Sequence, residues 1–521
     1  MTGQVARPMT AYKITGKSFI AAVIASLLLA ACAGARTTPQ SGGTAQSGGT
    51  AQNGAQAAPV IPIMPLDLSG YPPPPPRPDN AVVIALVLPF GDSRSSIRDL
   101  SRALQNAAQL ALFDLDRRDI VLSLHDTKGT PDGAKEAVKQ ALAAKADLIV
   151  GPLFSTSVAA IAPMLAGRDV PALALSNDRS VKGDNIWLLG FLPEDNIDRI
   201  VTESISQGLT RFGALLPEGA FGERVHDSLQ TQIALYGGDL VQTEFYPADP
   251  RGMFAPVQAL AQFERRKKAH EAEMARLTNE ARALAPPDTP DEDLFTVLRD
   301  IAPELTSAHE ALKRSETLGD IPYDVVFMPE GGLALRSLAP LLPYFDIDPR
   351  LVKFVGTGLW DDPSLTKEPP LHGGWYPAPE HGVWQRFVRR FKRAYGQEPP
   401  RLASIAYDAI GLAAELSRIA PGKPFTRNLL TDPNGFAGID GILRLTPDGL
   451  GERGLAVHEI TARGSRVINA APASFVEHDR RRQAARMLAS RLREAAPPID
   501  DAVLAGDAPE TGIEDTPASQ Q

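Results

Sequence analysis

Several short runs bring together residue types that can do chemistry. Gly91-Asp92-Ser93 sets a hydroxyl just after an apolar, strand-like run. There a serine could attack an acyl carbon if a histidine took its proton and an acid oriented that histidine. An Asp-x-x-His pair would supply both, but none of the eight histidines has aspartate three residues before it. Ser93, Ser95 and Ser96 are therefore expected to be loop and helix-capping groups. His125-Asp126 has no third metal ligand nearby and reads as a satisfied histidine at a strand end. His270-Glu271 lacks the following histidine of a zinc protease, Gly356-Thr357-Gly358 lacks the third glycine of a dinucleotide fingerprint, and no Gly-Lys-Ser/Thr phosphate loop occurs. No catalytic constellation emerges, so the chain is expected not to be an enzyme and to carry no metal or cofactor.

The one position with clear covalent chemistry is Cys32, the only cysteine in 521 residues. It rules out an intramolecular disulfide and any Cys/His metal cluster. It follows Leu29-Ala30-Ala31, an apolar run from Phe19 to Ala31, and a weakly basic start with Arg7, Lys13 and Lys17. That run is too short to span a bilayer and reads as a signal-peptide core, so residues 1–31 are expected to be removed. The pattern resembles the lipobox of bacterial lipoproteins; the other reading is an ordinary secretory signal with a chance cysteine. The resemblance implies lipidation of Cys32, and Ala33 in place of aspartate implies sorting to the outer membrane, facing the periplasm. Each buried methylene contributes about 0.8 kcal/mol, so several acyl chains make a durable anchor.

Stepping along the chain, residues 32–80 form a Gly/Ser/Pro-rich tether. Ser41–Gln46 is repeated in Ser47–Gln52, and prolines fill positions 72 to 76. A typical reach is about 40 Å, with an extended limit on the order of 150 Å. The proline run is a stiff spacer or a recognition ligand. Composition is globular, with 43% hydrophobic and 22% charged residues. Loss of the leader takes the formal charge from -9 to -12, and no long basic block remains, which argues against nucleic-acid binding.

Folded sequence starts at Ala81. Val82–Leu88, Ile120–Leu124, Asp147–Val150 and Ala172–Leu175 are apolar strands, separated by helical patterns through Leu100–Leu112, Gly133–Ala144 and Ser155–Leu165. Strands apolar on both faces between helices predict a parallel sheet covered on both sides. A second set has strands at Phe212–Leu216, Asp239–Tyr246 and Tyr323–Met328, with a helix over Phe221–Tyr236. The expected fold is α/β with two lobes in a body spanning 81–470. Lobe 1 is assigned about 81–195 and 350–418, and lobe 2 about 196–349 and 419–470.

Apolar stripes Met274–Leu284 and Leu294–Leu312, joined by Pro286, Pro287 and Pro290, predict a helical hairpin inserted over 253–319. It is either extra packing or a partner-binding arm. Residues 471–521 read as a basic helix with Arg480, Arg481, Arg482, Arg486, Arg491 and Arg493, expected as a solvated charged face, then a disordered acidic tail.

Ile84–Phe90 with Gln105–Ala111, Asp147–Leu153, Val170–Asn177, Phe212–Pro217 with Ala220-Phe221-Gly222, Tyr323–Met328 and Ala406–Ala409 resemble, in order, segments of type I periplasmic binding proteins of the leucine-binding class. The lipid anchor and tether, the charged hairpin, and Trp187–Phe191 before Pro193-Glu194-Asp195 make the chain similar to the penicillin-binding-protein activator lipoproteins. That resemblance implies stimulation of a peptidoglycan synthase by protein contact, although the amino-terminal helical-repeat domain of some members has no counterpart. The alternative is a transport receptor for branched-chain or other amino acids. The resemblance then places Ser155, Thr156, Ser176 and Asn177 on one wall of an interlobe cleft and Phe221 on the other, with Asp361 and Asp362 as candidates for an ammonium partner. Helix capping and turn formation call for the same residue types.

Overall fold

The computed structural model describes residues 81–315 and 317–495. The leader, Cys32, the tether and the acidic tail lie outside the described residues. No described helix is long and apolar enough to cross a membrane.

The first lobe is built on strands β1 (Val82–Leu88), β2 (Ile120–Asp126), β3 (Leu148–Val150), β4 (Ala172–Ala174) and β5 (Ile186–Leu188), in the order β2-β1-β3-β4-β5 and all parallel. β1 is buried from Val83 onward because helices cover both faces of the sheet. On one face the helix Ser95–Leu115 presents Ala103, Ala107, Ala108 and Ala111, small enough for close packing with the helix Ala403–Ile419 and its Ala406, Ala409 and Ala413. The helices Pro131–Ala143 and Ser155–Leu165 cover the other face.

The second lobe starts with the helix Pro193–Ser206 and strands β6 (Arg211–Pro217), β7 (Asp239–Tyr246), β8 (Val325–Met328), β9 (Lys353–Gly356) and β10 (Trp375–Ala378). The chain then returns to the first lobe for the helices His381–Tyr395 and Ala403–Ile419. There it adds a small antiparallel sheet of β11 (Phe436–Gly438), β12 (Gly441–Leu445) and β13 (Gly451–Arg453), whose Leu443 and Leu445 join the first-lobe core. It crosses back once more into β14 (Ala456–Thr461) and β15 (Gly464–Asn469), completing a seven-stranded sheet ordered β15-β14-β10-β9-β8-β6-β7.

Two lobe boundaries therefore differ from expectation. Residues 350–378 belong to the second lobe, because β9 pairs with β8 and β10 with β14. Residues 419–453 belong to the first, because their apolar side chains pack on its helices. The connection from lobe to lobe occurs three times, near 189–192, 379–380 and 454–455.

The hairpin is present but begins later than expected. Met253, Val257, Leu260 and Ala261 pack into the second-lobe core. Gln262, at φ 47, turns the chain into the helix Phe263–Leu284. That helix packs against Pro303–Arg314 around Leu277, Ala281, Leu294, Leu298 and Leu305. Buried Arg266 roots the arm, with its Nη2 2.6 Å from Asp346 Oδ2 and donating to the carbonyl of Gly319.

The basic helix Phe475–Ala495 is not a wholly solvated face. Ala485 and Ala489 bury against the second lobe, and Arg482 lies 3.2 Å from Asp198 while donating to the Tyr236 hydroxyl. Arg444 of β12 reaches Asp479 at 3.1 Å. The helix is thus bound to both lobes, and the body extends past residue 470.

Candidate functional site: the interlobe cleft

β3 leads into Gly151-Pro152-Leu153, where Gly151 sits at φ +111 and an added Cβ would lie 2.1 Å from the Val87 carbonyl oxygen. Only glycine meets both demands, and the turn launches the helix Ser155–Leu165. Its N-cap is Phe154, without a side-chain cap bond. Ser155 and Thr156 are thus free of capping duty. Ser155 is half-buried, while Thr156 is exposed.

After β4 the chain turns through Ser176-Asn177-Asp178. Ser176 is buried, and its Oγ accepts from the Asp178 backbone N–H at 3.1 Å, a turn-forming bond. Asn177 is exposed. Asp178 Oδ1 accepts from the Ser180 N–H and hydroxyl at 3.1 and 2.7 Å. Those Ser180 bonds hold its carboxyl below the usual range against the opposing effect of burial, helped by the Arg224 charge and Ser155.

The facing wall is the start of the helix Ala220–Leu235. Phe221 packs half-buried against the second-lobe core, and the Arg224 guanidinium carbon stands 5.8 Å from its ring centroid. Arg224 Nη1 reaches across to Asp178 Oδ1 at 3.5 Å, and its Nε is buried without a hydrogen-bond partner among the described residues. Two of the five candidates touch the partners of one cross-lobe ion pair, Ser176 through its bond to the Asp178 N–H and Phe221 through its ring under Arg224, while Asn177 and Thr156 are exposed. Sequence reasoning missed both partners. Asp178 directly follows the quoted Ser176-Asn177, and Arg224 lies three residues past Phe221, one helical turn along.

Asp361 and Asp362 do not join this cluster. Asp361 Oδ1 bonds His381 Nε2 at 2.8 Å and the Tyr376 hydroxyl at 3.4 Å, while Asp362 Oδ1 caps Ser364. Both line a separate cavity, together with Tyr376, His381 and Ser465.

The turn after β1 is organised by Asp92. Arg94 donates to Asp92 through its side chain and backbone N–H, pulling that carboxyl down to about 2. Arg94 itself is the N-cap residue of the helix Ser95–Leu115, without a side-chain cap bond, so the expected serine cap is not formed. Among the described residues no hydrogen bond joins Ser93, Ser95 or Ser96 to a histidine, and no group of three potential metal ligands occurs. His125 is buried and bonds Ser123 Oγ at 3.1 Å, as expected of a satisfied strand-end histidine.

The hinge beside the cleft is tightly charged. Phe191 lies between the Arg401 and Arg453 guanidinium groups, each 4.9 Å from its ring centroid. Arg453 stands 3.9 Å from both Asp408 and Asp440, and Arg401 contacts Asp440 at 2.7 Å. Burial and the neighbouring Asp440 push the Asp408 carboxyl up. Asp195, sealed at the start of the second-lobe helix, is also raised by burial.

This geometry has relatives. The family model described as periplasmic binding protein matches residues 82–264. Among solved structures, a protein from Rhodospirillum rubrum assigned to branched-chain amino acid ABC transport superposes with a TM-score of 0.54 at 17% identity, over 74% of this chain and 100% of that one. An ABC transporter substrate-binding protein from Sphaerobacter thermophilus gives a TM-score of 0.50 at 16% identity, over 76% of this chain and 97% of that one. The chain therefore has the two-lobed, type I periplasmic binding protein-like fold, with parallel sheets flanked by helices. Among curated proteins, the uncharacterized protein RP748 of Rickettsia prowazekii (strain Madrid E) is 25% identical over 135 residues, 25% of this chain and 36% of that protein. The penicillin-binding protein activator LpoA of Vibrio antiquarius (strain Ex25) is 30% identical over 117 residues, 21% of this chain and 19% of that protein. The chain thus spans about a third and about a fifth of these two relatives.

Proposed function

We propose that the chain is a non-enzymatic envelope lipoprotein, anchored in the outer membrane through Cys32 and facing the periplasm, that stimulates a peptidoglycan synthase of the penicillin-binding-protein class by protein contact. The observation that carries this reading is the Arg224–Asp178 ion pair, 3.5 Å across the cleft. In a receptor closing on a free amino acid, an unpaired acid must remain for the ligand's ammonium. Here the acid nearest the candidate serines is already held by a cation of the same chain. A body whose lobes are joined from within is suited to presenting a fixed outer surface. The local likeness to the Vibrio activator and the rooted hairpin, a projecting arm on a rigid scaffold, support the same view. The test is a transpeptidase and glycosyltransferase assay of the cognate synthase with added soluble protein. Stimulation is expected, and its loss on trimming residues 263–319 would place the contact on the arm. An unchanged synthase rate would end the proposal.

A second reading, capture of a small amino-acid-like ligand, draws on Ser155, Ser176 and Asp178 facing Phe221 and Arg224, and on the transport assignments of the fold relatives. It predicts a rise in melting midpoint with free branched-chain amino acids, by mass action.

A further inference from the structure

β2 is the outer strand of the first-lobe sheet and pairs only with β1. Val82 donates to the Asp119 carbonyl and Thr127 to the Leu88 carbonyl, so the odd-numbered residues of β2 turn their backbone groups toward β1. Ile120, Leu122 and Leu124 turn theirs outward. No described residue hydrogen-bonds to those outward groups. The strand also lacks the usual guards of a free edge, having no proline, no lysine and no bulge in its pairing.

The side chains at this edge are apolar. Ile120, Leu122 and Leu124 share the face covered by the helix Ser95–Leu115. Ile120 is buried beneath it, but Leu124 is 48% exposed and Phe113 of the helix is 78% exposed. Between helix and strand runs an open groove of about 660 Å³, with Gln109, Leu112, Phe113, Arg118 and Leu122 in its lining. An apolar groove continuous with an unpaired edge is shaped for another strand.

The sequence of β2 is complementary to itself in one antiparallel register. With Leu122 on a two-fold axis, Ile120 faces Leu124 of the other copy, and all three outward residues form hydrogen-bonded pairs. Arg118 then faces Asp126 of the other copy. Arg118 is 91% exposed, and Asp126 uses only Oδ1 in its own turn, accepting from the Gly91 and Lys128 N–H groups, which leaves Oδ2 for a cation. Centring the axis on Ile120 or Val121 sets Arg118 against a leucine, centring it on Ser123 sets Arg118 against Lys128, and centring it on Leu124 sets Asp126 against Leu122. Only the Leu122 register matches apolar with apolar and charge with opposite charge.

We propose that the chain forms a two-fold dimer in which the β2 edges of two copies pair antiparallel about Leu122, joining the first-lobe sheets into one. The surface lies on the outer edge of the first lobe, goes beyond the reading above and does not depend on it.

The test is sedimentation equilibrium of the soluble chain, with Cys32→Ala to prevent acylation. A mass that rises with concentration toward twice the monomer's is expected. Leu124→Lys should weaken association about tenfold or more, because the dimer buries that position twice. Leu333→Lys, at a second-lobe leucine that is 75% exposed, should associate like the parent. Register is read separately by oxidative cross-linking, since Cys32→Ala leaves no native thiol. Leu122→Cys places its two Cα atoms about 5.5 Å apart, within reach of a disulfide, whereas the two Leu124→Cys positions lie about 13 Å apart. Cross-linking at 122 and not at 124 is expected, and this readout stands even if Leu124→Lys fails to fold. A parent that stays monomeric at high concentration, a Leu124→Lys dimer as tight as the parent's, equal weakening by Leu333→Lys, or equal cross-linking at 122 and 124 would each overturn the proposal. Synthase stimulation succeeds or fails separately.

Discussion

Arg224 of the second lobe lies 3.5 Å from Asp178 of the first, and both side chains are 29% exposed. A half-shielded pair of this kind contributes about 0–1 kcal/mol. Arg224→Ala should therefore leave the melting midpoint nearly unchanged while releasing the lobes from each other. Small-angle scattering should show a larger radius of gyration for Arg224→Ala and Asp178→Ala, with no further increase in the double variant. Equal radii for all four proteins would show that the pair does not hold the cleft.

The raised Asp408 carboxyl has a defined sign. Its folded pKa exceeds its unfolded value, so the folded state binds more protons between the two, and stability falls as pH rises through that interval. Asp408→Asn keeps an oxygen for the Ile439 N–H, which bonds Asp408 Oδ1 at 2.8 Å, and removes the titration. Denaturant unfolding from about pH 4, the ordinary aspartate value, to neutrality should decline less steeply in the variant. Parallel curves would refute the assignment.

Glu203 and Arg199 form a buried pair at 3.1 Å, and Arg199 also donates to the Leu455 carbonyl at a hinge crossing. Glu203→Ala strands a buried guanidinium and should cost about 3–5 kcal/mol by equilibrium unfolding. Glu203→Gln, which keeps an acceptor, should lose less.

Gly222 sits where an added Cβ would lie 1.7 Å from the Pro217 carbonyl oxygen. Gly222→Ala must push the helix start away from β6, carrying Phe221 and Arg224 with it. A loss of about 1–3 kcal/mol is expected, together with the same lobe release as in Arg224→Ala. A variant with the parent's midpoint and radius would show that the helix start is not pinned there.

Elements whose burial is local were legible in the sequence. β1 has the ends read from its apolar run, and β7 and the helix Ser155–Leu165 also have the ends expected of them. Membership of a lobe was not. β9 and β10 are four residues each, and their place is decided by pairing with β8 and with β14, about 80 residues farther on. No local pattern encodes such a partner. The cleft was half legible for the same reason. Ser176 and Phe221 stand out by motif, whereas Arg224 looks like any helix-surface arginine until the two lobes are brought face to face. Asp361 and Asp362 were visible as an acidic pair, but the concavity they line is completed by Tyr376, His381 and Ser465, which are remote in sequence.

Three lengths of backbone run side by side through the joint near 189–192, 379–380 and 454–455. A fourth tie is the helix Phe475–Ala495, held by Arg444 of the first lobe and by Asp198 and Tyr236 of the second. A molecule that grips both halves at once would therefore load the three crossings and that helix together.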